Sequence, residues 1–498
     1  MEPLGASSLL SFCFLFLICF HLLLRCTRLS GRSLPPGPRP LPLLGNILEL
    51  GTKPHLALTE LARKHGPIMT LKLGSVTAVV VSSREAAKEI FQKNDHVLCG
   101  RMIPDAFRAG DHHKHSVVWL PASAKWKGLR RACSMQMFSR QKLERTETLR
   151  RRKVDELLNF LHESSARGRA VNVGQAVFTM VLNLISNTVF SIDLACQDED
   201  PAGLHFRDII WGVMKEGGTP NISDYFPSLW RIDPQGARRR MNGHFNQLIA
   251  VFDSIINERT RSRALPGGSR SDDMLDSLLD LGDSSELSRE DINHLLFDLY
   301  VAGVDTTHST VEWAMAELLR HPEKMAKARA EMEQVLGMDT KVRESDIPKL
   351  PYLQAIVKEI LRLYLPFLLP RKAESEVDLC GFKIPKNTQV MVNLWAMGRD
   401  PSVWQDPDCF QPERFSKLEI DIRGTDFELI PFGAGRRICP GMPLAYKMVH
   451  LILGSMIQSF DWELGNGETP ETMDMSEKFG ITLHRTRPLY AIPIALQR

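Results

Sequence analysis

Residues Pro431 to Gly441 read PFGAGRRICPG and combine closely spaced glycines with a single cysteine. Two chemistries fit such a stretch: a glycine-rich loop around a dinucleotide pyrophosphate, or a cysteine ligand to a metal. The dinucleotide fingerprint needs a third glycine at position 438 and an acidic residue about 20 positions later. Position 438 is Ile, and Gln458-Ser459-Phe460 occupy the region where the acid should stand. The pattern therefore favours Cys439 as the reactive group, with a buried structural cysteine as the alternative.

Cys439 has the neighbours that a haem-ligating thiolate requires. A thiolate is a strong, soft iron ligand, and as the axial ligand of haem it favours O–O cleavage. Gly435 and Gly441 should permit a tight loop around the sulfur. Phe432 can lie beside the haem ring, and Arg437 supplies a cation for a haem propionate. A helix that starts after Cys439 would add the positive end of its dipole.

A second candidate site is the segment 302–307, which reads AGVDTT inside a long helical pattern. Ala302 and Thr306 lie on one face of that helix. A glycine inside a helix costs about 1 kcal/mol relative to alanine, so Gly303 should have a reason to be there. The alternative to a functional site is an ordinary helix. In that helix Asp305 would be exposed, and the threonine hydroxyl would donate to a carbonyl oxygen of its own helix.

Other motifs pair charged or aromatic side chains at helical spacing. Glu359 and Arg362 stand three positions apart, and Trp126 and Arg130 stand four apart. Taken alone, such pairs are usually exposed and contribute only a few tenths of a kcal/mol. The run DHHKH at 111–115 predicts a surface loop, because adjacent histidines rarely converge on one ion without a carboxylate from elsewhere.

The composition indicates a large globular protein. Of 498 residues, 43% are hydrophobic and 24% are charged, enough to bury a core and enclose a cavity. Basic and acidic residues number 62 and 59, and this balance argues against nucleic-acid binding. The nine cysteines are odd in number and lack C-x-x-C spacing, which fits a reducing compartment.

The N-terminus predicts a membrane anchor. Residues 8–24 are almost entirely apolar, and arginines follow at 25, 28 and 32. That length suffices for a short membrane-spanning helix, and the basic flank places the body in the cytosol. A cleaved signal peptide, the alternative, would need a basic segment before the apolar core and a small-residue cleavage site after it. We therefore expect an anchor at 1–33, a stiff proline-rich hinge at 34–40 and one domain at 41–498.

The body should be mainly α-helical with a small β region near its front. Residues 68–82 alternate and are rich in β-branched side chains, which predicts a hairpin. A capping box at Ser288 marks the start of the longest helix. The helical patterns cover about 288–319, 353–363 and 444–460. The polar run 263–273 predicts an exposed loop.

The order of these motifs resembles the cytochrome P450 superfamily. The spacing F-x-x-G-x-R-x-C-x-G from 432 to 441 matches its haem signature at every fixed position, and the other motifs follow in the family's order. The resemblance implies haem b with Cys439 as its axial ligand. It also implies that Asp305 and Thr306 relay protons to dioxygen, for which Gly303 makes room.

The resemblance assigns further roles. Glu359 and Arg362 should interlock with Arg414 as a buried structural group beneath the haem. The residues expected to bind the haem are Trp126, Arg130, Arg371, Phe432, Gly435, Arg437 and Gly441. The residues expected in the substrate pocket are Val118, Ala302 and Phe367. In the family the pocket also includes the segment matching 364–369, which is shortened and altered in this chain.

Several stretches narrow the resemblance to the plant geraniol 8-hydroxylase group, among them SVVWLP at 116–121 and EKFGITL at 477–483. The implied function is a monooxygenase of the endoplasmic reticulum membrane that hydroxylates a small hydrophobic substrate with O₂. The chain has no recognisable flavin or nicotinamide motif, so electrons should come from NADPH–cytochrome P450 reductase. The expected substrate is a terpenoid, either a monoterpenol such as geraniol or a diterpene. The alternatives are a tyrosine-type aromatic hydroxylase of betalain synthesis and a haem-thiolate isomerase or dehydratase.

Overall fold

The computed structural model describes residues 34–197, 201–266, 270–271, 273–337 and 340–496. The predicted anchor, residues 1–33, lies outside the described residues. Within the described ranges most residues are helical and the strands are short, which confirms the expected mainly α fold with a small β region.

The α-helices are numbered in chain order. They are α1 (Ile47–Leu50), α2 (Pro54–His65), α3 (Arg84–Lys88), α4 (Ala124–Cys133), α5 (Arg140–Arg145), α6 (Glu147–Ala166), α7 (Val173–Phe190), α8 (Pro201–Gly218), α9 (Ile222–Tyr225), α10 (Ala237–Ala264), α11 (Met274–Asp283), α12 (Arg289–Arg320), α13 (Pro322–Leu336), α14 (Pro351–Leu363), α15 (Leu394–Met397), α16 (Arg414–Lys417) and α17 (Met442–Ser459). Short 3₁₀ helices cover Asp105–Lys114, Pro227–Leu229, Glu344–Lys349 and Gly435–Arg437, and π-helical turns cover Glu89–Lys93 and Ser134–Phe138.

The strands form one five-stranded sheet and three smaller sheets. They are β1 (Ile68–Leu73), β2 (Val76–Val81), β3 (Gly100–Arg101), β4 (Val171–Asn172), β5 (Arg371–Lys372), β6 (Val377–Leu379), β7 (Phe382–Ile384), β8 (Gln389–Val392), β9 (Phe460–Leu464), β10 (Glu477–Phe479), β11 (Leu483–Arg485) and β12 (Tyr490–Ala495). The large sheet has the order β1-β2-β8-β5-β3. The others are β4-β12-β9, β10-β11 and β6-β7.

The described residues fall into two compact units. The first contains the described residues up to Met102 together with Asn221–Pro234 and Phe367–Met397, and it holds the five-stranded sheet. The second contains Ile103–Pro220, Gln235–Pro366 and the residues from Gly398 onward, and it holds most of the helices.

In the first unit, β1 and β2 form the predicted hairpin, with Ile68 opposite Val81 and Leu73 opposite Val76. Gly74 in its turn has φ +57°, and a Cβ there would lie 2.8 Å from the Tyr225 carbonyl oxygen. Both the left-handed backbone and the close approach therefore require glycine.

The hinge segment 34–40 is neither helix nor strand, as its prolines predict. It lies along the first unit, because the Thr70 amide of β1 donates to the Pro36 carbonyl oxygen at 2.8 Å. A Cβ on Gly37 would lie 1.9 Å from the Thr70 carbonyl oxygen. Glycine thus lets the hinge lie directly against the sheet.

In the second unit, α12 is the central helix. Ser288 caps it in the predicted capping box with Asp291, and α12 packs against α7, α10, α14 and α17. Among the described residues, α7 is the one helix apolar and long enough to cross a membrane, but 83% of it is buried inside the protein. The helices predicted near 353–363 and 444–460 are α14 and α17. The loop predicted from 263 begins later, because α10 continues to Ala264.

We expect Gly37→Ala to lower the melting temperature of the full-length protein. The added Cβ must push the hinge off Thr70, and overpacking of this kind costs about 1–3 kcal/mol. The control is Gly243→Ala in α10, where a Cβ meets nothing within 4 Å. It should leave the melting temperature unchanged or raise it. Equal calorimetric melting temperatures for the two variants would contradict the packing of the hinge on β1.

Candidate active site

Two glycines with left-handed backbone shape the cysteine loop. Gly433 and Gly435 both have φ +69°, and the Cys439 amide donates to the Phe432 carbonyl oxygen at 2.9 Å. Gly441 has φ −80°, a helical value open to any residue. Gly433 and Gly435 are therefore the two glycines whose left-handed backbone the loop requires, and Gly441 adopts an ordinary helical conformation.

The environment of the Cys439 sulfur combines burial with hydrogen-bond donors. Burial, the largest influence, raises the pKa of the thiol, while the backbone amides of Gly441 and Met442 and the charge of Arg130 act to lower it. The two amides belong to the start of α17, where the helix dipole also favours negative charge. The protein thus supplies donors for a sulfur that carries negative charge.

Two guanidinium groups lie over one indole ring beside this loop. The guanidinium carbon of Arg437 is 4.4 Å from the Trp126 ring centroid, and that of Arg130 is 5.6 Å away. Arg130 donates to the Ile438 carbonyl oxygen, and Arg437 donates to that of Leu120. Three of the residues expected at the haem propionates therefore come together next to Cys439.

Helix α12 is open on one side at its middle. Most of its residues are buried, yet Ala302 and Thr306, one turn apart, are exposed while Val304 and Asp305 between them are buried. The Thr306 hydroxyl donates to the Ala302 carbonyl oxygen at 2.7 Å. An exposed stripe in the middle of a buried helix marks a space where a ligand can lie.

Gly303 has a packing role. A Cβ at this position would lie 2.7 Å from the Cδ1 atom of Ile185 on α7. The missing side chain therefore lets α7 approach α12 closely. The room that we expected Gly303 to provide for dioxygen is taken by Ile185.

Asp305 is buried, so the alternative in which it is exposed is wrong. Its carboxylate accepts hydrogen bonds from the Thr482 hydroxyl at 2.6 Å and from the His484 Nε2 atom at 3.2 Å. It therefore contacts β11 and the residue directly before that strand, whereas Thr306 faces the open side of α12. The sequence analysis missed Thr482 and His484, although Thr482 lies in the EKFGITL stretch that resembles plant relatives.

Glu359, Arg362 and Arg414 come together in the interior. The Glu359 carboxylate is 2.7 Å from the Arg362 guanidinium and 3.0 Å from that of Arg414, and all three side chains are buried. Arg362 also donates to the carbonyl oxygens of Gly398 and Pro407. The group thus ties α14 and α16 to the segment that precedes α16.

Arg371 and Phe367 belong to the first unit. Arg371 is buried there, where it donates to Asp95 at 2.8 Å and lies over the Phe91 ring. Phe367 packs against the hydrophobic cluster that contains Leu58. Val118, in the second unit, is half-buried, and its amide donates to the Ser116 hydroxyl.

The altered segment begins with a packed aromatic side chain. Tyr364 stacks on Trp313 with ring centroids 3.9 Å apart, and its hydroxyl donates to Glu317. Burial and the nearby Glu317 charge raise the pKa of Tyr364 well above its usual value. Tyr364 thus fastens the end of α14 to α12.

The run at 111–115 ends a 3₁₀ helix whose Asp111 and Lys114 are exposed, as expected for the surface, but its histidines turn inward. His112 is buried, stacks on His294 and lies 3.1 Å from Asp298. His115 pairs with Asp291 at 2.7 Å. These carboxylates lie on α12, so the run fastens the segment before α4 to the central helix.

A half-buried cysteine with amide donors, beside two guanidinium groups and an indole, defines a haem-thiolate class of site. Haem fits the residues present, because its iron takes a thiolate and its propionates take cations. Residues 35–491 match the family described as Cytochrome P450. The chain belongs to the cytochrome P450 family, and it is a monooxygenase.

Curated plant proteins resemble the chain over nearly its whole length. It is 50% identical to a geraniol 8-hydroxylase of Swertia mussotii over 487 residues, 97% of this chain and 98% of that protein. It is 50% identical to cytochrome P450 76AD1 of Beta vulgaris over 484 residues, 96% and 97% of the two chains. It is 47% identical to a drimenol monooxygenase of Persicaria hydropiper over 484 residues, 95% of each.

We expect Glu359→Gln to destabilise the protein strongly. The change leaves two buried guanidinium groups without their shared counter-charge, and breaking a buried pair costs about 3–5 kcal/mol. The control is Glu144→Gln, which breaks the exposed Arg140–Glu144 pair and should leave stability unchanged. Urea unfolding and haem content measure both effects. Wild-type stability of Glu359→Gln would contradict a supporting role for the buried group.

Proposed function

We propose that the protein is a membrane-anchored monooxygenase that hydroxylates a terpenoid, either a monoterpenol such as geraniol or a diterpene. The observation that carries this proposal is the near full-length identity to proteins named for geraniol and drimenol oxidation. The expected reaction places one atom of O₂ in an unactivated C–H bond.

Haem b, held by the Cys439 thiolate, supplies the oxygen-activating chemistry when bound. The amides of Gly441 and Met442 hold the negative charge of the sulfur, and Arg130 and Arg437 are the cations for the propionates. Thr306 can pass a proton from its place on the open face of α12. Asp305 is the acid that supplies this proton.

The open face of α12 favours an apolar substrate over an amino acid. Its exposed side chains are a methyl group at Ala302 and a hydroxyl at Thr306, and neither carries charge. Burying an unpaired charge costs several kcal/mol, so a zwitterion such as tyrosine would need ionic partners. Tyrosine remains the alternative substrate, because the resemblance extends to the betalain branch of the family.

The proposal includes NADPH–cytochrome P450 reductase as electron donor and the endoplasmic reticulum membrane as location. The apolar run at 8–24 with its basic flank supports an anchor that leaves the catalytic domain in the cytosol. An apolar substrate could then enter from the membrane.

The full-length protein, reconstituted with a plant reductase, should oxidise geraniol or an abietane diterpene. With ¹⁸O₂, the product mass should rise by one labelled oxygen, and formation should require NADPH. Tyrosine, supplied in parallel, should give no product. Hydroxylation of tyrosine alone would contradict the terpenoid assignment. Product formed without NADPH or label would indicate an isomerase or dehydratase.

A further inference from the structure

We infer that His484 is a positioning residue for proton delivery. It holds the Asp305 carboxylate in place and returns a proton to that carboxylate. This inference rests on the proposed function of Asp305 as the acid of the reaction. It extends that function to a histidine on a different element, β11.

The contact between the two side chains is direct and sheltered. The His484 Nε2 atom lies 3.0 Å from one Asp305 carboxylate oxygen and 3.2 Å from the other. The Thr482 hydroxyl donates to the same carboxylate at 2.6 Å. Asp305 is 1% exposed, while 13% of the His484 side chain remains accessible. Asp305 is therefore sheltered from solvent, whereas its partner His484 keeps some contact with solvent.

Strand β11 is fixed on α12 by the residue between Thr482 and His484. The Leu483 carbonyl oxygen accepts hydrogen bonds from the Ser309 hydroxyl at 3.0 Å and from the Trp313 indole nitrogen at 2.8 Å. The Trp211 ring packs edge-on against His484, with centroids 4.2 Å apart. The position of His484 beside Asp305 is therefore set by contacts that do not involve Asp305 itself.

The surrounding charges favour an ion pair. Burial lowers the pKa of His484, but the charge and hydrogen bond of Asp305 and the charge of Glu312 together raise it above its ordinary value. Burial raises the pKa of Asp305, but the charge and hydrogen bond of His484, with smaller contributions from His308 and Thr482, lower it overall. Lys478 opposes the charge on His484 slightly.

His308, the other histidine beside the pair, is neutral near pH 7. Its burial, the largest influence, lowers its pKa to about 4, and the charge of Arg207 acts in the same direction. Of these two histidines, His484 is therefore the one whose surroundings favour the protonated form.

The proton step that follows is balanced within the pair. The Nε2–H bond of His484 breaks and an O–H bond forms on Asp305, so both groups become neutral and no electrons change hands. His484 then regains a proton from solvent through its accessible edge. Neutralisation removes the attraction that holds Asp305 against β11, so the protonated acid is free to turn toward the open face of α12.

A bound divalent cation is the competing explanation of this cluster. Asp305, His308 and His484 offer ligand atoms within 4.8 Å of one another. A cation would need the lone pair of the His484 Nε2 atom, whereas the ion pair needs a proton there. Stoichiometric zinc or another divalent metal in purified wild-type protein, lost in His308→Ala, would overturn the inference.

The first test needs no turnover. Hydrogen–deuterium exchange at the imidazole C2 position, read by mass spectrometry on the haem-loaded protein, gives the pKa of His484. We expect a value above the ordinary ~6.5 in the wild type and a fall of about one unit or more in Asp305→Asn. An unchanged His484 pKa in Asp305→Asn would overturn the inference.

The second test compares His484→Gln with a histidine outside the site. Glutamine cannot return a proton, so we expect product per NADPH to fall about tenfold and hydrogen peroxide to rise, with KM and haem content unchanged. The matched control, His205→Gln on the exposed side of α8, should behave as wild type. Equal coupling in the two variants would overturn the inference.

The inference predicts in which direction peroxide release changes with pH. The pKa of His484 is raised, so the ion pair persists below the ordinary histidine range and is lost as pH rises through the folded value. Wild-type peroxide release should therefore increase with pH, while His484→Gln should release peroxide at all pH values. A pH-dependent His484→Gln profile like that of wild type would contradict the inference.

The two proposals fail in different ways. If no terpenoid is oxidised but the His484 pKa depends on Asp305, the substrate assignment alone is wrong. If geraniol is hydroxylated with full coupling by His484→Gln, the terpenoid assignment stands and the role of His484 is wrong.

Discussion

A negatively charged sulfur held in a half-buried loop is the constraint on which the rest of this structure depends. Burial raises the pKa of Cys439, and removing an ion from water costs several kcal/mol unless donors replace the water. A hydrogen bond to a charged group contributes about 1.5–3 kcal/mol. Two such bonds from backbone amides, together with the charge of Arg130, can therefore offset the cost of removing the sulfur charge from water. Those amides point at the sulfur because α17 starts directly after the loop. The loop can turn into α17 because Gly433 and Gly435 adopt left-handed backbone.

Helix α12 places two neighbouring residues of the expected proton relay, Asp305 and Thr306, on different sides. Successive helical residues point about 100° apart, so Thr306 faces the open side while Asp305 faces β11. Gly303 lets α7 close over the back of the helix, and Trp313 binds β11 to it. The acid and the alcohol of the expected proton relay therefore lie in different surroundings: Asp305 is buried within an ion pair, and Thr306 is exposed to the ligand space.

The sequence predicted the features that depend on local spacing. Short-range rules predicted the hairpin around Gly74 and the capping box at Ser288. The spacing of residues around Cys439 likewise predicted a tight cysteine loop. It did not predict contacts made across the fold. His484 contacts Asp305 although the two are 179 residues apart in the chain. His112 is buried in contact with the Asp298 carboxylate, 186 residues away. No spacing rule links such positions, and for the same reason the packing of Gly303 on Ile185 was not foreseen.

The carbon monoxide difference spectrum of the reduced full-length protein tests the central claim most directly. If Cys439 is the thiolate ligand, the wild type and Cys196→Ala, which removes an exposed thiol elsewhere, will give the thiolate-type spectrum. Cys439→Ala will lose it while keeping its helical circular dichroism. A thiolate-type spectrum that survives in Cys439→Ala would show that the iron ligand is another residue and would contradict this account.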